Sequence, residues 1–375
     1  MSLATHPDRS HRRLESSPAE SDNATVAAVD RLIEGTLATL REHWTDLAAG
    51  VVPRPGVLHT DSVLELLAGL AMSGGKHLRP RMVHWGWVAA SGRVSGGYED
   101  LVRAGAALEL LHVFALIHDD VMDQSETRRG RPSVHAEARR QHLRLRGLGD
   151  SERYGENIAI LAGDLAHSEA DALVAGLPER MQQLWRTLST ELMIGQGRDL
   201  VGAANGRRDL EHAREVARAK SGAYTVWRPL QLGAAAAGAA EATFTALERY
   251  GIAVGEAFAL RDDILGVVGD AKATGKPVGD DLLAGKPTVL LALATQRFSP
   301  RWRRVLARAG TANVRAGDVA ALRGELVRSG VIDEVEGMIA AAVEAATHAL
   351  DDPAIAPEAA VGLHALARRV AWRTA

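Results

Sequence analysis

Apolar positions recur at helical spacing along almost the whole chain, and the alternation that marks strands is scarce. Thr25–Ala48 reads as an amphipathic helix, ended by the turn-rich Gly50-Val51-Val52-Pro53-Arg54-Pro55-Gly56. Ser62–Met72 follows and closes on Ser73-Gly74-Gly75, after which Pro80 suits the first turn of the next helix. Further helices are expected over Tyr98–Asp123, Ile158–Ala175, Pro178–Asp199, Arg208–Ala237, Glu241–Val268, Thr288–Arg297 and Asp318–Leu350. Residues 1 to about 25 are polar and of mixed charge, and are expected to form a disordered tail. No repeat, heptad array or Gly/Ser linker divides the rest. The pattern therefore predicts one all-α domain over 26–375, built as a helical bundle.

Composition narrows the function. The 375 residues are 46% hydrophobic, enough to bury a substantial core, and the formal net charge is −3. That balance argues against a nucleic-acid binder or a polybasic membrane anchor. The basic run Arg139–Arg146 has no interleaved aromatic residue and reads as a solvated helix end or loop. There is no cysteine, which excludes disulfides, thiolate metal sites and cysteine nucleophiles. The N-terminus lacks the apolar stretch of a secretory signal. The longest apolar run, Ala104–Ile117, is interrupted by Glu109 and His112, so no membrane span is expected, and the default location is the cytoplasm.

Two acidic groups stand out against this background. Asp119-Asp120-Val121-Met122-Asp123 directly follows an apolar helical run, and Asp119 and Asp123 lie one turn apart on one face. Carboxylates so placed are costly if buried unpaired, but they suit Mg²⁺, which takes one or two carboxylates together with phosphate oxygens. Asp262-Asp263 also ends an apolar run, and Asp270 follows near the face of Asp263. If the two helices are neighbours, their carboxylates hold metal ions between them.

Basic residues complement the acids. Lys76 and Arg79 follow the Gly74-Gly75 pair near a helix start, an arrangement that suits an anion. Arg128-Arg129 comes shortly after Asp123, and adjacent guanidiniums beside carboxylates are best explained by a shared polyanion. Lys220, Lys276 and Lys286 complete the set.

Between about residues 60 and 300 these pieces resemble the trans-isoprenyl diphosphate synthases. The matching segments are GGKHLRP (Gly74–Pro80), DDVMD followed by RRG (Arg128–Gly130), ILAGDL (Ile160–Leu165), GQGRDL (Gly195–Leu200), and RDDILG with GKPVGDD. Each is short, but six in this order are specific. The resemblance implies a helical bundle around a central cavity, Mg²⁺ as cofactor with three ions per site, and a homodimer. It implies that Asp119, Asp123 and Asp262 ligate Mg²⁺, with Asp120, Asp263 and Asp199 in support. Arg128, Lys220 with Ser221, Lys276 and Lys286 would grip the allylic diphosphate. Lys76, Arg79, His112 and Arg129 would hold isopentenyl diphosphate, and Gln196 would line the cavity. His112 lies seven residues before Asp119, on nearly the same helix face.

The chain departs from the family pattern at Gly266, where the fullest second motif has a third aspartate, at Ala259 for glutamine, and at Ser221 for threonine. Product length should depend on Phe114, five residues before the first motif, and on Ala115, one turn below Asp119. An aromatic at Phe114 resembles the geranylgeranyl type and favours a twenty-carbon product, with fifteen carbons as runner-up. The competing readings are a class I terpene cyclase, a non-catalytic subunit of a heteromeric synthase and a helical scaffold. A cyclase binds one diphosphate, so GGKHLRP and Arg129 would be superfluous there. Degraded acidic motifs would signal a non-catalytic subunit, and only Gly266 leans that way. A scaffold leaves two matched charge constellations unexplained.

Overall fold

The computed structural model describes residues 18–48, 56–90, 97–269 and 279–374. The turn expected between Gly50 and Pro55, Asp270, Lys276 and the first 17 residues of the expected tail lie outside the described residues.

The most apolar helix is the centre of the bundle. Helix α4 (Tyr98–Met122) is hydrophobic all round, as a helix must be if neighbours cover every face. It packs on α1 (Pro18–Leu47), α3 (Leu78–Ala89) and α6 (Ser151–Val174). By length and composition α4 would also pass as a membrane span, but it is a core helix, with Leu101, Leu108, Leu110, Leu111 and Ile117 fully buried. α1 contributes Val29, Ile33, Leu37 and Leu40, one apolar stripe at helical spacing.

Helix α2 (Ser62–Ala71) and α5 (Val134–Arg144) flank α6. A two-stranded ribbon, β1 (Thr127–Arg128) and β2 (Arg131–Pro132), turns the chain back after the first acidic motif. Beyond α7 (Glu179–Ala204) and α8 (Leu210–Val216) comes a π-helical stretch, Ala217–Trp227, which continues into α9 (Arg228–Ala236). α10 (Glu241–Val268) packs on that stretch. The C-terminal part adds α11 (Asp280–Ala284), α12 (Val289–Arg297), α13 (Pro300–Leu306), α14 (Ala316–Arg328), α15 (Val331–Ala349) and α16 (Pro357–Ala371).

The all-α expectation holds, and the boundaries shift for identifiable reasons. The tail boundary moves back, because 18–25 already belong to α1: Asp22 and Thr25 are buried, Asp22 accepts from Arg81 and Trp85, and Thr25 bonds His84 at 2.9 Å. α6 starts at Ser151 rather than Ile158, since the Asp150 carboxylate accepts the N–H groups of Glu152 and Arg153. Asp318–Leu350 is two helices, broken where Gly330 takes φ 76°. The basic run lies mostly on α5, where Arg139 is held by Glu126 and Glu152.

Glycines set the closest helix crossings. A Cβ on Gly86 of α3 would lie 2.0 Å from the Leu230 carbonyl oxygen, and one on Gly233 of α9 would lie 1.9 Å from that of Val83. Gly222 and Gly255 meet less closely between the π-helical stretch and α10, where an added Cβ on either would lie 3.0 to 3.1 Å from the other's backbone. These contacts fix the depth at which the charged residues of α3 and the π-helical stretch sit.

Candidate active site

The last turn of α4 carries Asp119, Asp120 and Asp123 at a helix C-terminus, where the unpaired carbonyls already make the potential negative. Carboxylates there need cations, and three elements supply them. Lys220, from the π-helical stretch, donates to Asp119 Oδ1 at 3.1 Å and to Asp199 Oδ2 of α7 at 2.5 Å. Gly195 makes this reach possible, because a Cβ there would lie 2.4 Å from the Lys220 backbone nitrogen. Burial disfavours the ammonium, but Asp119 and Asp199 outweigh it and raise the Lys220 pKa.

Lys286 donates to Asp123 Oδ2 at 2.5 Å and lies 3.5 Å from Asp281 Oδ1. Here too burial is outweighed, by Asp281, Asp119 and Asp123, and the pKa rises. Asp123 itself is pushed up by burial and by Asp119, with Lys286 opposing. Arg128 Nε donates to both Asp120 oxygens, at 3.1 and 3.0 Å, and its Nη2 lies 3.6 Å from Asp119. Asp120 is 1% exposed, so it holds Arg128 in place.

A second cationic group lies alongside. Arg129 donates to Ser73 Oγ at 2.9 Å and to the Gly74 carbonyl, joining the ribbon to the Gly74-Gly75 turn. Arg79 donates to Thr225 Oγ1 at 3.1 Å and stacks over the Tyr224 ring at 4.2 Å. Tyr224 Oη pairs with His112 Nδ1 at 3.0 Å. Burial, then Arg79, Arg129 and Arg128, hold His112 well below its ordinary pKa, and burial raises that of Tyr224. Both groups of this pair are therefore uncharged, a neutral imidazole bonded to a neutral phenol. His77, beside Lys76, lies 3.6 Å from Asp30 and 3.5 Å from Glu109.

The second acidic region is less uniform. Asp262 is exposed and paired with Arg373, whose guanidinium also stacks over Phe258 at 4.2 Å. Lys76 lies at the same rim, where desolvation and Arg373 lower its pKa and Asp262 opposes them. Asp263 instead turns inward and accepts the Val289 N–H at 3.1 Å, capping the start of α12. Desolvation and then Asp281 push its pKa well above the carboxylate range. Gln196 donates to Met122 Sδ at 3.2 Å, beside the first motif, and Ser221 is half-buried next to Lys220.

The structure thus draws Asp119, Asp120, Asp123, Asp199, Arg128, Lys220 and Lys286 into one network. It ties Arg79, Arg129 and His112 to that network's flank. Ligation of Mg²⁺ fits this donor set. Carboxylates from α4, α7 and the second region each face a lysine or arginine cation, yet among the described residues no three ligands converge as a closed cage. An open set of hard oxygen donors is what Mg²⁺ takes when phosphate oxygens and water complete its shell.

The profile of the family described as Polyprenyl synthetase matches residues 61–324. The chain belongs to the polyprenyl synthetase family. It is a prenyltransferase that carries out isoprenyl diphosphate synthase condensation. A geranylfarnesyl diphosphate synthase of Aeropyrum pernix is 35% identical over 62% of this chain and 70% of its own length. A geranylgeranyl diphosphate synthase of Mycobacterium tuberculosis is 35% identical over 60% of this chain and 59% of its own. A crystal structure of geranylgeranyl pyrophosphate synthase from Corynebacterium glutamicum, complexed with isoprenyl diphosphate and magnesium, superposes with a TM-score of 0.83. That chain is 36% identical, and the match covers 92% of this chain and 98% of the other.

Sequence reasoning in this synthase missed several residues. Arg373 carried no signal beyond its charge. It reaches Asp262 because Arg261 Nε binds the Ala371 carbonyl at 2.6 Å and anchors the chain end. Tyr224 reads as a core aromatic until its hydroxyl is seen on His112. Phe114 is buried between His118, at 4.6 Å, and His167 of α6, at 4.9 Å, so its ring faces α6. His167 had no motif to mark it.

Proposed function

We propose that this chain condenses isopentenyl diphosphate head-to-tail (1′-4) with allylic diphosphates, giving mainly geranylgeranyl diphosphate. The observation that carries the reading is the pair of cationic groups beside one acidic helix end. Lys220, Lys286 and Arg128 sit among the carboxylates, and Arg79, Arg129 and His112 sit at their flank. Two groups suit two diphosphates.

Asp119, Asp123 and Asp262 would hold the metal ions, with Asp199 beside them. Bound Mg²⁺ supplies Lewis-acid neutralisation of the departing pyrophosphate. Lys220, Lys286 and Arg128 bind the same leaving group and favour charge build-up as the allylic C–O bond breaks. Arg79, Arg129, Lys76 and His112 hold isopentenyl diphosphate so that its double bond attacks the allylic carbon. A new carbon–carbon bond forms, and the proton lost from the isopentenyl unit goes to the pyrophosphate. The apolar walls of α4 and α7 keep water from the cation.

Phe114 packed against His167 supports the twenty-carbon length, because the ring closes the space between α4 and α6. Labelled isopentenyl diphosphate offered with each allylic primer should yield mainly the twenty-carbon diphosphate. Hydrocarbon released from an allylic diphosphate alone would mean a cyclase instead. Phe114→Ala should shift the products to longer chains, and an unchanged product profile would reject the ring as the floor.

A second copy would cover the exposed apolar side chains Ile160 and Leu161 of α6 and Ile194 and Val201 of α7. Light scattering should give the mass of a homodimer. The monomer mass, about 40 kDa from the sequence, would contradict it.

A further inference from the structure

We propose that His77 is a positioning residue for isopentenyl diphosphate, its charged imidazole holding the strained turn that presents Lys76 and Arg79. The inference rests on the function proposed above, which gives those two side chains that substrate. His77 stands between them with φ 46° and ψ 42°, in the left-handed region. A residue with a Cβ adopts that conformation at a cost, so its surroundings must hold it there. The His77 side chain does not cap α3. It turns instead towards α1 and α4, where Nδ1 lies 3.6 Å from Asp30 Oδ1 and 3.5 Å from Glu109 Oε2. At these separations the contacts are ion pairs rather than short hydrogen bonds, so the clamp depends on charge on the imidazole.

Glu109 is the acid that interrupts the apolar run of α4, and it is buried. A carboxylate there is costly without a cation. Its Oε1 has no hydrogen-bond partner among the described residues, and its charge acts on both His77 and Arg129. Asp30, His77, Glu109, His112 and Arg129 line one cavity of about 120 Å³, so the clamp borders the space next to two of the residues assigned to the substrate. The other charged groups around His77 are Glu34 of α1, on the same cavity, and Arg81 of its own helix. The contact with Glu109 raises the His77 pKa, with Asp30 in support and burial and Arg81 opposing. A histidine so raised is charged below its folded pKa. The clamp is therefore complete there and is lost as pH rises through that value.

KM for isopentenyl diphosphate is measured on the full chain from about pH 6 to about pH 9, with Mg²⁺ and the allylic diphosphate saturating. Lys76 and the substrate phosphates titrate in every variant, so differences between variants isolate His77. His77→Asn tolerates the left-handed backbone and carries no charge. It should raise KM for isopentenyl diphosphate by about fivefold or more at the acid end. KM for the allylic diphosphate should stay within about twofold, since other elements hold that substrate. The natural chain should lose its advantage over His77→Asn as pH rises through the His77 pKa. His77→Arg offers Glu109 a charge at every pH and should keep the low KM across the range. Equal KM for the natural chain and His77→Asn at the acid end overturns the proposal. So does the same pH profile in the natural chain and His77→Arg, a comparison that decides alone if His77→Asn does not fold. Arg79→Ala serves as the reference. If it raises KM for isopentenyl diphosphate while His77→Asn does not, only this inference fails; if neither does, the proposed substrate site itself fails.

Discussion

Asp119→Asn is expected to lower kcat by on the order of a hundred- to a thousandfold while leaving the fold intact. The substitution keeps the shape of the side chain and removes one charge. In the resting protein Asp119 shares the Lys220 ammonium with Asp199, at 3.1 and 2.5 Å, so Lys220 keeps a partner and its place. The loss falls instead on the diphosphate complex, where the carboxylate would be a metal ligand at the point where negative charge grows in the transition state. Steady-state kinetics at saturating substrate, with circular dichroism as the check on folding, measure it. A kcat within about threefold of the natural chain would show that the last turn of α4 is not the metal site.

Gly233→Ala is expected to destabilise the protein by about 3 kcal/mol or more, at the upper end for overpacked cores. In an open helix the same change normally stabilises by up to about 1 kcal/mol, because alanine is the better helix former. Here the new methyl would start 1.9 Å from the Val83 carbonyl oxygen and 2.8 Å from the Trp87 nitrogen, and both neighbours are backbone. No rotamer change relieves that contact, so α3 and α9 must move apart. Gly35→Ala on α1 is the control, since nothing lies within 4 Å of its Cβ position, and it should stabilise. Denaturant unfolding of the two variants gives the opposite signs. Equal effects would mean that the glycine crossing does not set the α3–α9 distance. Since α3 carries Arg79, Gly233→Ala should also weaken the proposed isopentenyl diphosphate site in whatever fraction folds.

The arrangement has a common electrostatic logic. Each acidic residue at the end of α4 would be unfavourable next to free helix carbonyls, and each basic residue beside it would be unfavourable if desolvated alone. Together they persist as pairs that a metal–diphosphate complex can rearrange without creating an unpaired buried charge. Lys220 and Lys286, both raised in pKa by surrounding carboxylates, stay charged across the physiological range and are ready for a phosphate oxygen.

The sequence by itself determined the all-α class, most helix positions and the residues of the first motif. Those depend on local properties: helical spacing of apolar residues, capping side chains and adjacent charges within a turn. It also raised the expectation that two acidic groups, through metal ions, and a set of cations share an anionic ligand. Only the tertiary structure decided which cation pairs with which acid, that Asp263 caps α12 rather than facing the first motif, and that Arg373 returns to Asp262. It alone placed Tyr224 on His112 and turned Phe114 towards His167. The physical reason is the same in each case. These contacts join residues far apart in the chain, and their geometry depends on how closely two helices approach. That approach is set by backbone contact at glycines such as Gly195 and Gly233, and a single sequence does not reveal which glycines lie at such contacts.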